Sequence, residues 1–137
     1  MRILIIDDYV DYAFNLKGKF RFAGHEAEYC LNSRTAVEFA LKYKPDWVVL
    51  DVRMPYKSGV IVYRELKDRL DIEFSVVFYS NHCDDPDIIK EFRNLNVPDE
   101  VIIPKTTDME DDVINKLIPA LKSGYFTGGQ KNGKQQP

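Results

Sequence analysis

Short apolar runs along this chain alternate with stretches in which apolar residues recur at helical spacing. Residues 3–6 and 48–50 are wholly apolar, which is typical of strands covered on both faces of a parallel sheet. Between them, apolar residues recur every three or four positions, as at Ala36, Val37 and Ala40. Strand and helix alternate five times, so the pattern predicts a doubly wound α/β domain with right-handed crossovers.

The same pattern gives approximate bounds for ten elements. Strands are predicted at residues 3–6, 26–30, 46–50, 74–79 and 101–103, and helices at 9–22, 33–43, 58–70, 85–95 and from 108 onward. Ser33 and Asp85 are predicted N-caps, and Pro119 is expected to kink or end the last helix. The residues expected to face the core include Val10, Ala13, Phe14 and Phe20; Ile61 or Val62, with Leu66 and Leu70; and Val113, Ile114, Leu117 and Leu121.

Composition limits the class of protein. A chain of 137 residues is enough for one domain, and its net charge of -3 gives no basic surface for nucleic acid. No apolar stretch approaches the roughly 20 residues of a membrane helix. Cys30 and Cys83 have no metal-ligand spacing and are expected to be reduced thiols of a cytoplasmic protein. We expect a domain at residues 1–123 and a polar, disordered tail at 124–137.

Five polar residues are placed where predicted strands end: Asp7, Asp8, Asp51, Ser80 and Lys105. The carboxyl ends of parallel strands share one edge of the sheet, where such folds bind ligands. Crowded carboxylates repel one another, and Mg²⁺, which prefers hard oxygen ligands, would relieve that repulsion. One carboxylate could then attack phosphorus, with the lysine and the hydroxyl binding an anion. Taken alone, Asp51 could equally cap the turn after its strand.

Over residues 1–122 the chain resembles the receiver domains of two-component response regulators, in particular stand-alone, CheY-like ones. The features that carry the resemblance follow in the family's order: Asp7-Asp8, Asp51, Met54-Pro55 with Gly59, Ser80 and Lys105. The resemblance implies a flavodoxin-like fold of five parallel strands in the order 2-1-3-4-5, with five helices.

The resemblance also implies a function. Asp51 would accept a phosphoryl group from a sensor histidine kinase or a histidine phosphotransfer protein, and Ser80 and Lys105 would bind the phosphoryl oxygens. Mg²⁺ would be held by Asp8, Asp51 and the backbone carbonyl of Arg53, with Asp7 acting mainly through water. A downstream protein would bind the face formed by the fourth helix, fifth strand and fifth helix. The domain would be a switch and not an enzyme, apart from Mg²⁺-dependent self-phosphorylation and autodephosphorylation.

The sequence departs from the family pattern at three places. Pro104 precedes Lys105 and Thr106 follows it, where the family usually has a proline after the lysine. Ile102 occupies a position that is usually aromatic, and the segment around residues 98–100 is longer than usual. The family pattern therefore does not predict the geometry of the turn after Lys105 or the mode of switching.

Two other functions compete with a phosphorylated switch. A phosphatase with an aspartyl nucleophile usually needs a second aspartate two residues on as general acid, and Arg53 stands there. A receiver-like interaction domain that works without phosphorylation usually lacks the acidic pair or the lysine, and this chain has both.

Overall fold

Five parallel strands form the centre of the computed structural model, which describes residues 1–124 and 126–128. They are β1 (Arg2–Ile6), β2 (Glu26–Cys30), β3 (Trp47–Leu50), β4 (Phe74–Ser80) and β5 (Ile102–Pro104). Their order across the sheet is β2-β1-β3-β4-β5. The predicted flavodoxin-like order 2-1-3-4-5 is confirmed.

The helices connect these strands. They are α1 (Val10–Phe22), α2 (Ala36–Tyr43), α3 (Gly59–Arg69), α4 (Pro86–Asn94), α5 (Met109–Asp112) and α6 (Ile118–Ser123). A π-helical segment, Val113–Leu117, joins α5 to α6, so that residues 109–123 form one continuous fifth helix, here called the C-terminal helix. In the part of the chain that the structure describes, none of the helices combines the length and apolar character needed to cross a membrane.

The register of the central strands sets the position of the polar residues that follow them. Ile6 lies opposite Leu50, and Leu50 lies opposite Phe78. The residues of β1 after Arg2 and all four residues of β3 are buried, so apolar burial fixes this register. The next residues along both strands, Asp7 and Asp51, therefore leave the sheet side by side at its carboxyl edge.

Helix caps follow the predictions only in part. The Asp85 side chain accepts a hydrogen bond from Asp87 N at 2.9 Å, and Pro86 opens α4. Ser58 caps α3 by accepting from Ile61 N at 3.3 Å. Ser33, however, does not cap α2, which begins later, at Ala36. The Ser33 side chain is buried and hydrogen-bonds to the loop after β3, so the predicted N-cap is wrong.

Several residues expected in the core are exposed. Val10 and Phe14 are 46% and 63% exposed, because the buried stripe of α1 runs instead through Ala13, Leu16 and Phe20. Neighbouring residues on a helix lie about 100° apart, so the prediction merged two adjacent stripes. The same holds for Ile114, beside the buried Val113, Leu117 and Leu121. In α3, Val62 is the buried residue and Ile61 is 40% exposed.

Pro119 does not end the C-terminal helix, so the predicted early end is wrong, while the alternative of a kink stays a prediction. The π-helical turn lies directly before α6, and Pro119 occupies the first turn of α6. A proline ring clashes with the carbonyl four residues earlier in a regular helix, and it also lacks the N–H donor. The wider π turn, with i→i+5 hydrogen bonds, accommodates the ring without breaking the helix.

The segment between β4 and β5 contains the extra residues noted in the sequence. They form a 3₁₀ turn, Asp99–Val101, whose Val101 is fully buried. As a result β5 starts at Ile102, one residue later than predicted, and spans only three residues. It pairs with residues 78–80 of β4, which leaves the first half of β4 without β5 as a neighbour.

Residues beyond the C-terminal helix correct the expected disordered tail in part. A short strand, β6 (Thr127–Gly128), pairs antiparallel with Phe74 and Ser75 of β4. Just before it, the Phe126 ring packs 4.8 Å from the Tyr63 ring of α3, centroid to centroid. An apolar anchor in an otherwise polar segment thus brings the chain against the sheet. The rest of the predicted tail, residues 125 and 129–137, lies outside the described residues.

Candidate functional site

Three carboxylates meet at the carboxyl edge of the sheet. Asp7 and Asp8 follow β1, Asp51 follows β3, and oxygen atoms from all three lie within 4.8 Å of one another. Asp7 and Asp51 are only 2% and 7% exposed, whereas Asp8 is exposed to solvent. The cluster is therefore a shallow pocket with a buried floor and one accessible carboxylate at its rim.

Backbone contacts hold Asp51 in place. Its amide donates to the carbonyl of Ile6 at 2.9 Å, and its Oδ1 accepts from the amide of Val52 at 2.8 Å. Gly59, whose amide donates to Val52 O at 2.7 Å, packs against this turn. A Cβ at Gly59 would collide with the Asp51 carbonyl oxygen, so a larger residue would displace the loop. Glycine is thus required at position 59 because the backbone of the Asp51 turn approaches it too closely for a side chain.

Lys105 brings a buried positive charge to the site from the end of β5. Its Nζ lies 2.7 Å from Asp7 Oδ2 and 3.8 Å from Asp51 Oδ2, and the side chain is 4% exposed. The Tyr12 ring lies beside it, with 4.2 Å between Nζ and the ring centroid. An aromatic face attracts a cation at such distances, so Tyr12 helps to orient the ammonium group.

Ser80 ends β4 beside Asp51. It is fully buried, its Oγ accepts a hydrogen bond from His82 N at 3.1 Å, and its hydroxyl also hydrogen-bonds to the Asp51 carboxylate. Its carbonyl accepts from the amide of Lys105 at 3.0 Å, which ties the ends of β4 and β5 together. Ser80, Lys105 and Asp51 thus face one small volume.

The charge balance of the site affects the proton affinity of Asp51. Burial, and next the neighbouring charge of Asp7, raise the pKa of Asp51 to about 6. Lys105 and the hydrogen bonds from Ser80 and Val52 oppose that rise without cancelling it. Asp51 is therefore a carboxylate that lacks sufficient positive partners.

This donor set suits a hard divalent cation. Three carboxylates face one ammonium group, which leaves an excess of negative charge in a partly buried pocket. Mg²⁺ is bound in proteins through one or two carboxylates and retains several waters, and the exposed Asp8 leaves room for such waters. The residues present therefore fit Mg²⁺.

The Arg53 side chain turns away from the pocket toward α4. Its guanidinium forms an ion pair with Asp85, which bridges the loops that follow β3 and β4. The hydrogen bond from Arg53 lowers the pKa of the Asp85 carboxyl. Arg53 thus occupies the position at which an aspartyl phosphatase would hold its proton donor, and it cannot serve as that acid. The predicted role of the Arg53 backbone carbonyl as a metal ligand stays a prediction.

Sequence reasoning missed several residues that support the site. Ser33 donates to the carbonyl of Pro55 and accepts from Lys57 N at 3.2 Å, which anchors the loop after Asp51. Tyr12 carries no signal in the sequence, and only the fold brings it beside Lys105. A third group, Tyr79, Thr106 and Asp112, forms a buried hydrogen-bonded network behind Lys105. The order Pro104-Lys105-Thr106, with the proline before the lysine and a threonine after it, is the sign in the sequence that this turn is unusual.

The sequence model of the response regulator receiver domain family matches residues 3–115. The chain belongs to this family. The match spans the sheet edge with its acidic cluster, Ser80 and Lys105. The resemblance inferred from the motifs is confirmed.

Individual relatives agree with this assignment. Sporulation initiation phosphotransferase F of Bacillus subtilis is 27% identical over 122 residues, covering 89% of this chain and 96% of the relative. A response regulator receiver protein of Anaeromyxobacter is 30% identical over 112 residues, 79% of this chain and 46% of that protein. Several relatives are thus much longer than the region they share with this receiver domain.

Solved structures show the same fold. The CheY-like receiver domain protein of Methanospirillum hungatei superposes with a TM-score of 0.75 at 18% identity, covering 90% of this chain and 94% of the other. The BeF3-activated receiver domain of Klebsiella pneumoniae RstA gives 0.72 at 20% identity, over 89% and 99%. Receiver domains typically bind Mg²⁺ through an acidic pocket and interact with histidine kinases or phosphotransfer proteins, and they are generally not enzymes.

Proposed function

We propose that this receiver domain accepts a phosphoryl group on Asp51 from a phosphohistidine of a sensor kinase or a histidine phosphotransfer protein. The observation that carries the proposal is the environment of Asp51. Its carboxylate lies on the floor of the pocket, with Lys105 Nζ 3.8 Å away and the Ser80 hydroxyl hydrogen-bonded to it. A nucleophile, a fixed cation and a hydroxyl donor therefore converge on one point.

The proposed step forms one bond and breaks one. An Asp51 oxygen attacks phosphorus, the P–N bond to the donor imidazole breaks, and the ring nitrogen keeps the electron pair. Because the pKa of Asp51 is about 6, most of it is carboxylate at neutral pH and can act as the nucleophile. Lys105 and Ser80 would donate hydrogen bonds to the phosphoryl oxygens. The shared burial of Ser80 and Lys105 limits the access of water to the acyl phosphate.

Mg²⁺ would be held by Asp8 and Asp51 with the Arg53 backbone carbonyl, and by Asp7 through water. When bound, the ion supplies positive charge that offsets the repulsion between the carboxylates and the incoming phosphate. The clustering of the three aspartate side chains supports this assignment.

Two surfaces are proposed for partners. Tyr9, Val10 and Phe14, at the start and in the first half of α1, are exposed and suit the apolar part of a donor interface. The name of the Bacillus relative, a phosphotransferase, supports transfer of a phosphoryl group. A downstream protein would bind α4, β5 and the C-terminal helix, where the added charge of the phosphoryl group would act through Ser80. We expect this exchange to take place in the cytoplasm.

The test is incubation of the protein with acetyl phosphate and Mg²⁺, followed by intact mass and peptide mapping. We expect a mass gain of one phosphoryl group, located at Asp51 and absent without Mg²⁺. Asp51→Asn should remove the adduct while the circular dichroism spectrum is unchanged.

Asp71→Asn is the matched control, because Asp71 is exposed and precedes β4, at the opposite edge of the sheet. It should label as the parent does. An Asp51→Asn variant that still gains the phosphoryl group would contradict the assignment. A parent protein that gains none from acetyl phosphate or from a phosphohistidine protein would favour an interaction domain that works without phosphorylation.

A further inference from the structure

A second buried carboxylate lies behind the site, in the first turn of the C-terminal helix. Asp112 is fully buried, yet it follows two other acidic residues in a segment whose sequence is typical of a solvent-facing helix start. A buried carboxylate is costly unless its oxygens are fully hydrogen-bonded. The contacts of Asp112 therefore indicate why this residue type is present.

Three side chains and a backbone amide satisfy the Asp112 oxygens. The Tyr79 hydroxyl donates to Oδ2 at 2.6 Å, and the Thr106 amide donates to the same oxygen at 3.0 Å. The Thr106 hydroxyl lies 2.9 Å from both oxygens, and Lys116 Nζ lies 3.3 Å from Oδ1. Burial alone would raise the pKa of Asp112, but the donors outweigh it and the pKa is lowered.

This network contacts both phosphate-binding candidates through their chain neighbours. Tyr79 immediately precedes Ser80, and Thr106 immediately follows Lys105. The Lys105 amide donates to the Ser80 carbonyl at 3.0 Å, and the next amide, of Thr106, donates to Asp112. The backbone of Lys105 is thus fixed on both sides, to β4 by its own amide and to the C-terminal helix by that of Thr106.

The network stands where the family usually has a proline after the lysine. A proline would stiffen that turn by fixing φ, and it could not donate an amide hydrogen bond. Here Thr106 supplies two donors in its place, and Asp112 is the acceptor that both of them need. The hydrogen bonds from Thr106 to Asp112 therefore restrain the turn that a proline would otherwise stiffen.

We propose that Asp112 is a positioning residue which, through Thr106, holds Lys105 in the orientation that phosphoryl transfer to Asp51 requires. This inference rests on the proposed function. Asp112 does not contact the phosphoryl group itself; it fixes the backbone from which the Lys105 side chain reaches Asp7 and Asp51. The role depends on Thr106 at the position after the lysine.

The test compares phosphorylation rates at saturating acetyl phosphate and Mg²⁺. Thr106→Val removes the hydroxyl and preserves the shape, and Asp112→Asn removes the charge. Both should slow the reaction about tenfold or more, since small displacements of a catalytic group have large effects on rate. The Mg²⁺ concentration that half-saturates the thermal stabilisation should stay unchanged. Thr106→Ser, which keeps both donors, should restore the parental rate.

Lys116→Gln is the matched control. It removes the contact that a partly exposed lysine makes to the same carboxylate and leaves Thr106 in place, so the rate should stay within about twofold of the parent. In a Lys105→Ala background, Asp112→Asn should add little further loss, because the two residues act in series.

Parental rates in Thr106→Val and Asp112→Asn would overturn the inference, as would an equal loss in Lys116→Gln. If Asp112→Asn does not fold, Thr106→Val decides, because it leaves every charge in place. An adduct on the parent together with unaffected variants would overturn only this inference. No adduct on the parent would overturn the proposed function as well.

Discussion

Asp51 and Asp112 are both buried carboxylates, 7% and 0% exposed, but their surroundings have opposite effects. Burial, and next the charge of Asp7, raise the pKa of Asp51 to about 6, although Lys105 and the hydrogen bonds from Ser80 and Val52 oppose that rise. Asp112 is likewise closed to solvent, but its donors outweigh the effect of burial, and its pKa is lowered. Low solvent exposure alone therefore does not set the direction of the pKa shift in these two groups.

The direction of the pKa shift depends on whether the donors outweigh burial and nearby negative charge, as they do at Asp112 and do not at Asp51. Asp51 lacks sufficient positive charge around it, which a metal ion can supply. Asp112 already has donors in Tyr79, Thr106 and Lys116. The first carboxylate retains an excess of like charge and the second is fully hydrogen-bonded, and the fold places one beside the Lys105 side chain and the other behind its backbone.

The largest effect on stability is expected from a substitution of Asp112, whose oxygens are fully hydrogen-bonded. Asp112→Asn replaces an acceptor oxygen with an NH₂ group that faces the donors of Tyr79 and Thr106. Removing one partner of a buried ionic network should destabilise the protein by about 3 kcal/mol. Urea denaturation followed by circular dichroism measures it. A loss below about 1 kcal/mol would mean that the network relaxes freely and that the contrast with Asp51 is overstated.

A slightly smaller effect on stability is expected from Mg²⁺ binding to the carboxylate cluster around Asp51. Mg²⁺ at about 100 times its Kd should stabilise the native state by about 2.7 kcal/mol, because it binds the folded pocket and not the unfolded chain. Asp8→Ala should abolish that gain, whereas Asp71→Asn should keep it. Thermal melts across a Mg²⁺ titration check this. Full Mg²⁺ stabilisation of Asp8→Ala would mean that the ion binds at a different site.

The raised pKa of Asp51 predicts a pH dependence without metal. The unfolded chain loses this proton near pH 3.8, whereas the folded protein keeps it until about pH 6. The folded state therefore binds more protons between these values, and stability should fall by about 3 kcal/mol as pH rises through this window. The difference in unfolding free energy between the parent and Asp51→Asn isolates the contribution. A flat difference curve, or a rising one, would contradict the raised pKa.

The smallest effect on stability is expected when one hydrogen-bond donor to Asp112 is removed, which makes its surroundings more like those of Asp51. Tyr79→Phe deletes only the hydroxyl and should destabilise the protein by about 1.5 kcal/mol, the usual value for a hydrogen bond to a charged group. It should also move the pKa of Asp112 upward, toward the behaviour of Asp51. Carboxyl chemical shifts as a function of pH would show this. An unchanged Asp112 titration would mean that Thr106 and Lys116 suffice.

The sequence is a good guide to the elements and to the residues at strand ends. The apolar runs of β1 and β3 have one stable register, so the pattern of hydrophobic positions is enough to place Asp7 and Asp51 side by side. Ser80 and Lys105 follow from the same rule. Their positions depend on main-chain geometry that local pattern determines.

The residues that sequence reasoning missed depend on side chains meeting across elements. Tyr12 lies on α1 and reaches Lys105 only because α1 packs beside the carboxyl edge of the sheet. Asp112 has the sequence context of an exposed acidic helix start, because the pattern carries no sign of its donors on β4 and after β5. Val10 and Phe14 are predicted to face inward because adjacent helical stripes are hard to separate when both are apolar.

The short strand β6 also bears on the solubility of the protein. Because β5 pairs only with residues 78–80, the amides and carbonyls at the start of β4 would form an open sheet edge, a template for pairing with another chain. β6 and the Phe126 carbonyl, which accepts from Val76 N at 3.1 Å, occupy that edge. A version cut after Gly124 would expose it, and we expect aggregation at high concentration. Gly128 lies opposite Phe74, at the end of β4 away from Ser80, so β6 covers the sheet far from the candidate pocket.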